Sequence, residues 1–519
     1  MMQTALNLAS LPDDILLSIS SFLSLADVLT FPLVCHAFNS VAQNRVLWII
    51  LLNAESLVRP IACPAFTDLS TLALEDLRRI ACHTIRLQHN WTTGRFDPLP
   101  IAGPIKTVIL NVPRQEEDLE QNVGLLDLIF QVPGTEYYVF HSRDTGQLLV
   151  WDVGLGRQVA PGIFVAKRIV DVSAGRQTQG LFWMGLLVSE HSAIPSDKMM
   201  IVRLDYDAPT GPDLKITFEY TFAPNLTHWA IFMTEEYIGA IELSESQLVD
   251  AHLRIVAVNI GTGRQTIITT NVPIDEAHNM GAHSGTCTVE DNTFILFEDS
   301  DNSFVFLIPK AILPHDANHD IPASSNLACY TRTSNVSWDP GAGRTFTPEG
   351  VLSANNMYGV PAVSLQALDT VVWSSSYEVP ESVMQIRFWT PCMQTLPPER
   401  STAMTTAAPA AGAPTTIPTL ECKWVANIQG SLGDASNSAW KLMLLSHSGC
   451  NVLLVMERGT HLELRLIVVD PELNKCVQHR LAVPENMELG YVYGLSIDDH
   501  RGVITLLDTR GLLYAIPYA

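Results

Sequence analysis

The sequence predicts an α+β chain in two parts, a helical head up to about Trp91 and a long all-β body after it. Three observations carry this. Apolar residues recur at helical spacing from Leu11 to Trp91; beyond Trp91 the apolar runs are short, β-branched and punctuated by glycine; and one two-residue strand ending recurs along the body at near-equal spacing. The length, 519 residues, is too great for one small module, since domains commonly run to about 100–200 residues.

The head is read first. After Leu11-Pro12, the acidic Asp13 and Asp14 suit the positive end of a helix dipole, and Ile15, Leu16, Ile19, Phe22 and Leu23 follow at helical spacing. Asp27 is expected to cap a second short helix that stops near Pro32. Val34, Phe38 and Val41 open a third, whose apolar side runs on into Leu47-Trp48. Three helices of this size bury too little to stand alone, because folds under about 40 residues need a metal, a disulfide or a partner. With no paired cysteines, a partner is expected. A further helix, from Thr67 to Asn90 with Ser70 as its cap, reads as a rigid spacer packed on the body, and a helix fixes distance better than a flexible linker does.

Leu11-Pro12-Asp13-Asp14-Ile15-Leu16, Ile19, Phe22-Leu23, Leu25, Asp27-Val28-Leu29, Val34-Cys35-His36-Ala37-Phe38 and Leu47-Trp48 together resemble the F-box motif from end to end. Phe38 stands where an aromatic, often Trp, is usual, and Pro32 replaces an ordinary helical residue. The resemblance implies a fungal-type F-box protein that docks on a Skp-type adaptor, and through it on cullin and RING subunits, while the rest of the chain recruits a protein substrate. It also implies the docking residues: Leu11, Pro12, Ile15, Leu16, Ile19, Phe22, Leu23, Val34, Cys35, Leu47 and Trp48. The plainer reading is a helical cap on the larger domain. Simple packing, however, does not require Leu-Pro, Val-Cys and Leu-Trp at these offsets.

In the body, apolar strands end at Trp151-Asp152, Leu204-Asp205 and Val258-Asn259, 53 and 54 residues apart (205 − 152 and 259 − 205). Weaker echoes fall at Ile308-Pro309, Trp389-Thr390, Val469-Asp470 and Leu507-Asp508. Gly154-Leu155-Gly156-Arg157, Gly261-Thr262-Gly263-Arg264 and Arg510-Gly511 supply turn chemistry. Strands apolar on both faces, such as Leu148 to Trp151 and Val503 to Leu507, belong between two layers. The pattern resembles a degenerate WD-type β-propeller of about seven blades, with six or eight as neighbours. A pair of β-sandwiches competes, without explaining the spacing. The domains expected are an F-box at 1–50, a helical linker at 51–95 and a propeller at 96–519. Residues 391–420, rich in Pro, Thr and Ala, are expected to be a disordered insertion, and about 310 to 370 a second insertion that covers one face or merely decorates it.

Composition narrows the partners. Lys and Arg number 31 against 54 Asp and Glu, a net charge of −23, which opposes nucleic acid and anionic membranes. Charged residues make up only 16% and the mean hydropathy is +0.17, as in a folded, core-rich chain. The nine cysteines are scattered, without a C-x-x-C pair, and the first basic side chain is Arg45, so a soluble, intracellular protein, cytoplasmic or nuclear, is expected.

Sites for chemistry are sparse. His315 and His319 are four apart, but they lie between Pro314 and Pro322 without the metalloprotease glutamate, so a loop is favoured over a metal site. Asp299, Asp301 and Ser303 lack the glycine and distal glutamate of a calcium loop, and Gly261-Thr262-Gly263 lacks the third glycine of a dinucleotide fingerprint. No enzyme, metal or cofactor is expected. Arg143, Arg157 and Arg168 sit in a stretch of near-neutral balance and are candidate contacts for a phosphorylated peptide, against the reading of ordinary surface charge. The reading reached is a non-catalytic, substrate-recruiting subunit of an SCF-type (Skp, cullin, F-box) ubiquitin ligase. An adaptor-bound scaffold outside ubiquitination is the alternative, and a propeller enzyme with a helical cap the third class.

Overall fold

The computed structural model describes residues 11–110, 126–273 and 440–519 with short gaps, and the backbone of individual strands between 283 and 431. The head is helical: α1 (Asp13–Ser20), α2 (Leu25–Thr30), α3 (His36–Ala42), α4 (Arg45–Ser56) and α5 (Leu74–Thr93). The cap of α2 is Ser24, not Asp27. Its Oγ accepts from the Asp27 N–H at 3.2 Å and bonds the Asp27 carboxylate at 2.6 Å. The expected third helix is two, because Asn44 interrupts it and its Oδ1 accepts from the Val46 N–H at 3.0 Å, which starts α4. The spacer begins at Leu74, later than expected, since Asp68 takes the Ser70 N–H into a separate 3₁₀ turn over Leu69–Thr71.

The partner expected for the short helices comes from the same chain. Leu16, Leu25, Val28, Leu47, Trp48, Leu51 and Leu52 share one core with Ile61, Leu69, Leu77, Ile80 and Ala81, so α5 and the segment before it complete the bundle. Each Leu, Ile or Val among them, fully buried, contributes about 1.5–3 kcal/mol. The Arg45 guanidinium ties α4 to the carbonyls of Leu72, at 2.7 Å, and Ser70.

The body is built of strands. β1 (Lys106–Ile109) precedes a first sheet of β2 to β5 (Leu126–Gln131, Tyr137–Ser142, Gln147–Asp152, Arg157–Phe164) and a second of β6 to β9 (Arg168–Thr178, Leu181–Glu190, Ser196–Asp205, Asp213–Thr221). The third holds β10 to β13 (Thr227–Met233, Tyr237–Leu243, His252–Asn259, Gln265–Pro273). The fourth holds β14 to β16 (His283–Val289, Asn292–Asp299, Asn302–Ile308) and β18 (Thr331–Thr333), while β17 (Ser324–Leu327) reaches back to pair in parallel with β13. The fifth is β19 to β22 (Phe346–Ser353, Ser364–Val372, Glu381–Leu396, Thr415–Ser431) and the sixth β23 to β26 (Trp440–Leu445, Asn451–Arg458, His461–Asp470, Lys475–Arg480). The seventh is β27 to β29 (Val492–Asp498, Val503–Asp508, Leu512–Pro517), with β1 as its fourth strand, antiparallel to β29.

Among the described residues, the first sheet packs face to face with the second, the second with the third and the sixth with the seventh. Phe182, Met184, Leu186 and Val188 of β7 join Phe130, Val139, Leu148 and Val150 of the first sheet. The intervening Leu187, with Met199 and Ile201, joins Ile231, Ile238, Val256 and Val258 of the third. A third core unites Tyr138, Phe140, Leu149 and Trp151 with Val503, Leu507, Leu513 and Ala515 of the seventh. Opposite faces of one sheet thus feed two cores, which is why these strands read as apolar throughout. First strands lie beside one another, β6 by β10, β10 by β14, β14 by β19, β19 by β23, β23 by β27 and β27 by β2. In six sheets the pairing of the first two strands is broken by a bulge, a device that sharpens strand twist.

The recurring strand endings fall one to a sheet. Six lie on the third strand, and Leu507-Asp508 lies on the second. The polar second residue makes the turn: Asp152 Oδ1 accepts from Leu155 N at 2.9 Å and Asn259 Oδ1 from Thr262 N at 2.8 Å. Gly263 follows with φ +68°, so Gly261-Thr262-Gly263 is a hairpin turn. Asp299 pairs with Asn302 across another. Residues 391–396 and 415–420 are not disordered; they extend β21 and β22 in register from Pro391↔Leu420 to Leu396↔Thr415. The 310–370 stretch contributes β17 to β20, whereas 397–414 and the His315 to Asp320 cluster lie outside the described residues.

A buried ion cluster pins the second sheet to the third. His228, stacked on Phe222 at 3.6 Å, has Nδ1 at 3.1 Å from Asp197 Oδ2 and Nε2 at 3.7 Å from Glu242 Oε2. Burial works to lower the His228 pKa, but the two carboxylates outweigh it and hold the imidazole above its ordinary value. The stability this contributes is therefore complete below about pH 6.5 and is lost as pH rises through the folded value. His228→Gln is expected to cost most near pH 6, with a gap to wild type in thermal midpoint that narrows toward pH 9. A gap independent of pH would show that the imidazole acts only by packing.

Candidate functional site

The head exposes an unusual amount of apolar surface. On α1, Ile15 and Ile19 lie one turn apart and half exposed, and Phe22, just past the helix end, is 87% exposed. Between α2 and α3, Leu33 and Val34 are 85% and 63% exposed; on α4, Val46 and Ile50 stand outward. From 11 to 50 the only formally charged residues are Asp13, Asp14, Asp27 and Arg45. A surface of this composition offers burial rather than acid–base chemistry, and large exposed apolar patches mark interaction sites.

Of the predicted docking residues, Ile15, Ile19, Phe22 and Val34 are exposed to a partner and Pro12 lies beside them at the start of α1. Leu11 and Leu23 pack partly on the helical core, and Cys35 is half-buried at the entry to α3. Leu16, Leu47 and Trp48 belong to the interior instead. Trp48 is 1% exposed, donates from Nε1 to Ala42 O at 2.8 Å and has the Arg78 guanidinium over its ring, so its surface is already spent within the chain. Leu33, Val46 and Ile50 were not foreseen. The signal for Val46 and Ile50 was the run Val46 to Leu52, apolar all round, which one internal core covers on one side only.

The three arginines do not converge. Arg143, in the turn between β3 and β4, is held by Asp127 through two hydrogen bonds of 2.7 Å, with the carboxylate drawn below its usual range by His141 and Arg143 against the opposing effect of burial. Arg168, exposed, opens β6 at that same end of the sheets, whereas Arg157 opens β5 after the next turn, at the opposite end. No single peptide pocket contains all three.

The helical region sits at the Arg157 end. Pro64 packs on Gly134 in the β2–β3 turn, and Leu87 packs on Gly502 in the β27–β28 turn. Both turns belong to the end away from Arg143.

Residues 8–52, which carry the whole exposed set, match the family model described as F-box-like. The chain contains an F-box-like domain. No curated protein matches the sequence. Among solved structures, an oligogalacturonate lyase in complex with manganese is 11% identical, with a TM-score of 0.38, over 81% of this chain and 96% of that one. A prolyl endopeptidase structure is 12% identical, with a TM-score of 0.33, over 71% and 44%. Hsv2 of Kluyveromyces lactis is 10% identical, with a TM-score of 0.30, over 67% and 84%. Likenesses at these scores carry no argument about the β body. Among the described residues, no helix is long and apolar enough to cross a membrane, and no group of three or more His, Cys, Asp or Glu is placed to hold a metal ion.

Proposed function

We propose that the chain is the substrate-recognition subunit of an SCF-type ubiquitin ligase. Its F-box-like domain docks on a Skp-type adaptor, which brings cullin and RING subunits, and its β body recruits a protein substrate. The observation that carries the reading is the coincidence of the F-box-like match with the exposed side chains of Ile15, Ile19, Phe22, Leu33 and Val34. In this reading the body is a seven-bladed propeller of degenerate WD type. Seven sheets in chain order, first strands side by side and a last sheet completed by β1 support it. The protein works inside the cell and contributes proximity rather than bond chemistry.

Co-expression of the full chain with a Skp-type adaptor tests the first half, with gel filtration as the readout; addition of the cullin and RING subunits with ubiquitin and its activating and conjugating enzymes tests the second. A stable complex that supports ubiquitin transfer is expected. Failure to capture the adaptor would sink the reading. Capture without transfer, to the chain or to co-purified protein, would leave adaptor binding and remove the ligase role.

A further inference from the structure

The helical region rests on the first, sixth and seventh sheets, and three imidazoles tie it to the sixth and seventh. His500 Nδ1 is 2.7 Å from Ile61 O, His83 Nε2 is 3.1 Å from Arg501 O, and His479 Nε2, on the sixth sheet, is 2.6 Å from Trp91 O. A carbonyl oxygen only accepts, so each imidazole presents an N–H there. Asn90 adds a bond to Tyr518 O at 3.3 Å. After α5 the chain stays on the sheets: Leu99 N donates to Arg480 O at 2.7 Å, Ala102 N donates to Pro517 O at 2.8 Å, and β1 then closes on β29.

One buried carboxylate gathers these segments. Asp498 Oδ1 accepts from the N–H groups of Gly134 at 3.3 Å, His500 at 3.1 Å and Arg501 at 3.2 Å, and Oδ2 accepts from Gln131 Nε2 at 3.2 Å. The guanidinium of Arg501, the residue whose backbone carbonyl meets His83, donates to Thr135 O at 2.7 Å and Glu136 Oε1 at 2.6 Å. Glu136 in turn receives Lys106 of β1, at 2.8 Å to Oε2. Turns of the first and seventh sheets, the closing strand and the helical region thus meet in one polar cluster.

The fit leaves no slack. Gly134, at φ +72°, would place a Cβ 2.6 Å from the Pro64 Cα, and Gly502, at φ +66°, would place one 2.6 Å from Leu87 Cδ1 and 2.6 Å from Ala519 Cβ.

We propose that Asp498 and His500 are positioning residues that make closure of the seam between the first and seventh sheets and seating of the helical region one event. The helices then cannot leave their seat without loosening β1 and β29. The exposed apolar face of the head is held at a fixed orientation to the β body as a result. The inference concerns contacts within the chain and does not rest on the adaptor reading.

Hydrogen exchange on the full-length chain, read by mass spectrometry of peptides, tests it. In Asp498→Ala and in His500→Ala, exchange is expected to rise about tenfold or more, the size that follows when buried polar groups lose their hydrogen-bond partner, in Leu99, Ala102 and the β1–β29 ladder together. The β7–β8 ladder keeps its wild-type rates. Asp498→Asn, which retains a carbonyl oxygen for the three N–H groups, gives a smaller rise at the same places. Gly502→Ala, whose added methyl would press on Leu87 of α5 and on Ala519 beyond β29, is expected to loosen α5 and the β1–β29 ladder in parallel; with Asp498→Asn it decides the matter should the alanine variants fail to fold. Faster exchange confined to Gly134, His500 and Arg501, or loosening of α5 in Gly502→Ala with β1 unchanged, would overturn the proposal by showing that seating and closure are separate. An equal rise in β7–β8 would overturn it as well, since the residues would then support the whole body and not the seam.

Discussion

A Phe22→Asp, Val34→Asp double variant is expected to weaken capture of a Skp-type adaptor by about a hundredfold or more, because each central apolar contact at an interface carries about 2 kcal/mol or more. Its thermal midpoint should stay close to wild type. Both side chains are largely exposed, 87% and 63%, so charging them removes nothing from the interior. The same argument extends to Leu33→Asp, a position the motif did not point to, where a loss of similar size to either single substitution is expected. Titration calorimetry against purified adaptor, with circular dichroism melts in parallel, checks all three. Wild-type affinity in the double variant would mean that the adaptor uses another surface, and with it the reading of the head as a docking module would fall.

How much of this was legible depended on whether the signal was local. The stripe Ile15, Ile19 and Phe22 could be read from helical spacing alone, and so could the spacer helix, since both are written in consecutive residues. Inner and outer faces were harder. Leu16 and Ile15 are adjacent and equally apolar, yet Leu16 packs inward, and α4 is apolar round its whole circumference, so periodicity could not assign Leu47 and Trp48 to the core. The repeat was legible because an Asp or Asn ending several of these strands makes the following turn within a few residues, as Asp152, Asn259 and Asp508 do. Closure was not legible. It pairs Lys106 with Ala515 and Ile109 with Leu512, partners with no local pattern between them. Topology divides the three arginines. Consecutive turns of an antiparallel meander lie at opposite ends, so Arg143 and Arg157, one strand apart, could never share a face.

Trp48→Ala separates a docking residue from a core residue, and the two assignments predict different things. Were Trp48 a contact for the adaptor, its loss would weaken capture and leave the chain folded. In the structure the indole is enclosed by the helical core, hydrogen-bonded to Ala42 O and covered by Arg78, so truncation leaves a cavity and removes one of that carbonyl's two donors, the other being Arg78 Nη2 at 2.6 Å. A penalty of about 3–5 kcal/mol follows for a buried Trp reduced to Ala. The bundle is small and draws its core from only a few helices, so a loss of this size is expected to melt the F-box-like domain at temperatures where the wild type is folded. Helical circular dichroism should fall, and adaptor capture with it. Trp48→Phe resolves the order of cause: it retains most of the buried volume without the N–H, so the helices should remain folded with a lowered midpoint and bind the adaptor at near wild-type strength. If Trp48→Phe kept the fold but lost the adaptor, the indole would reach the partner after all, and the division between the inner face of α4 and its outer face at Val46 and Ile50 would have to be redrawn.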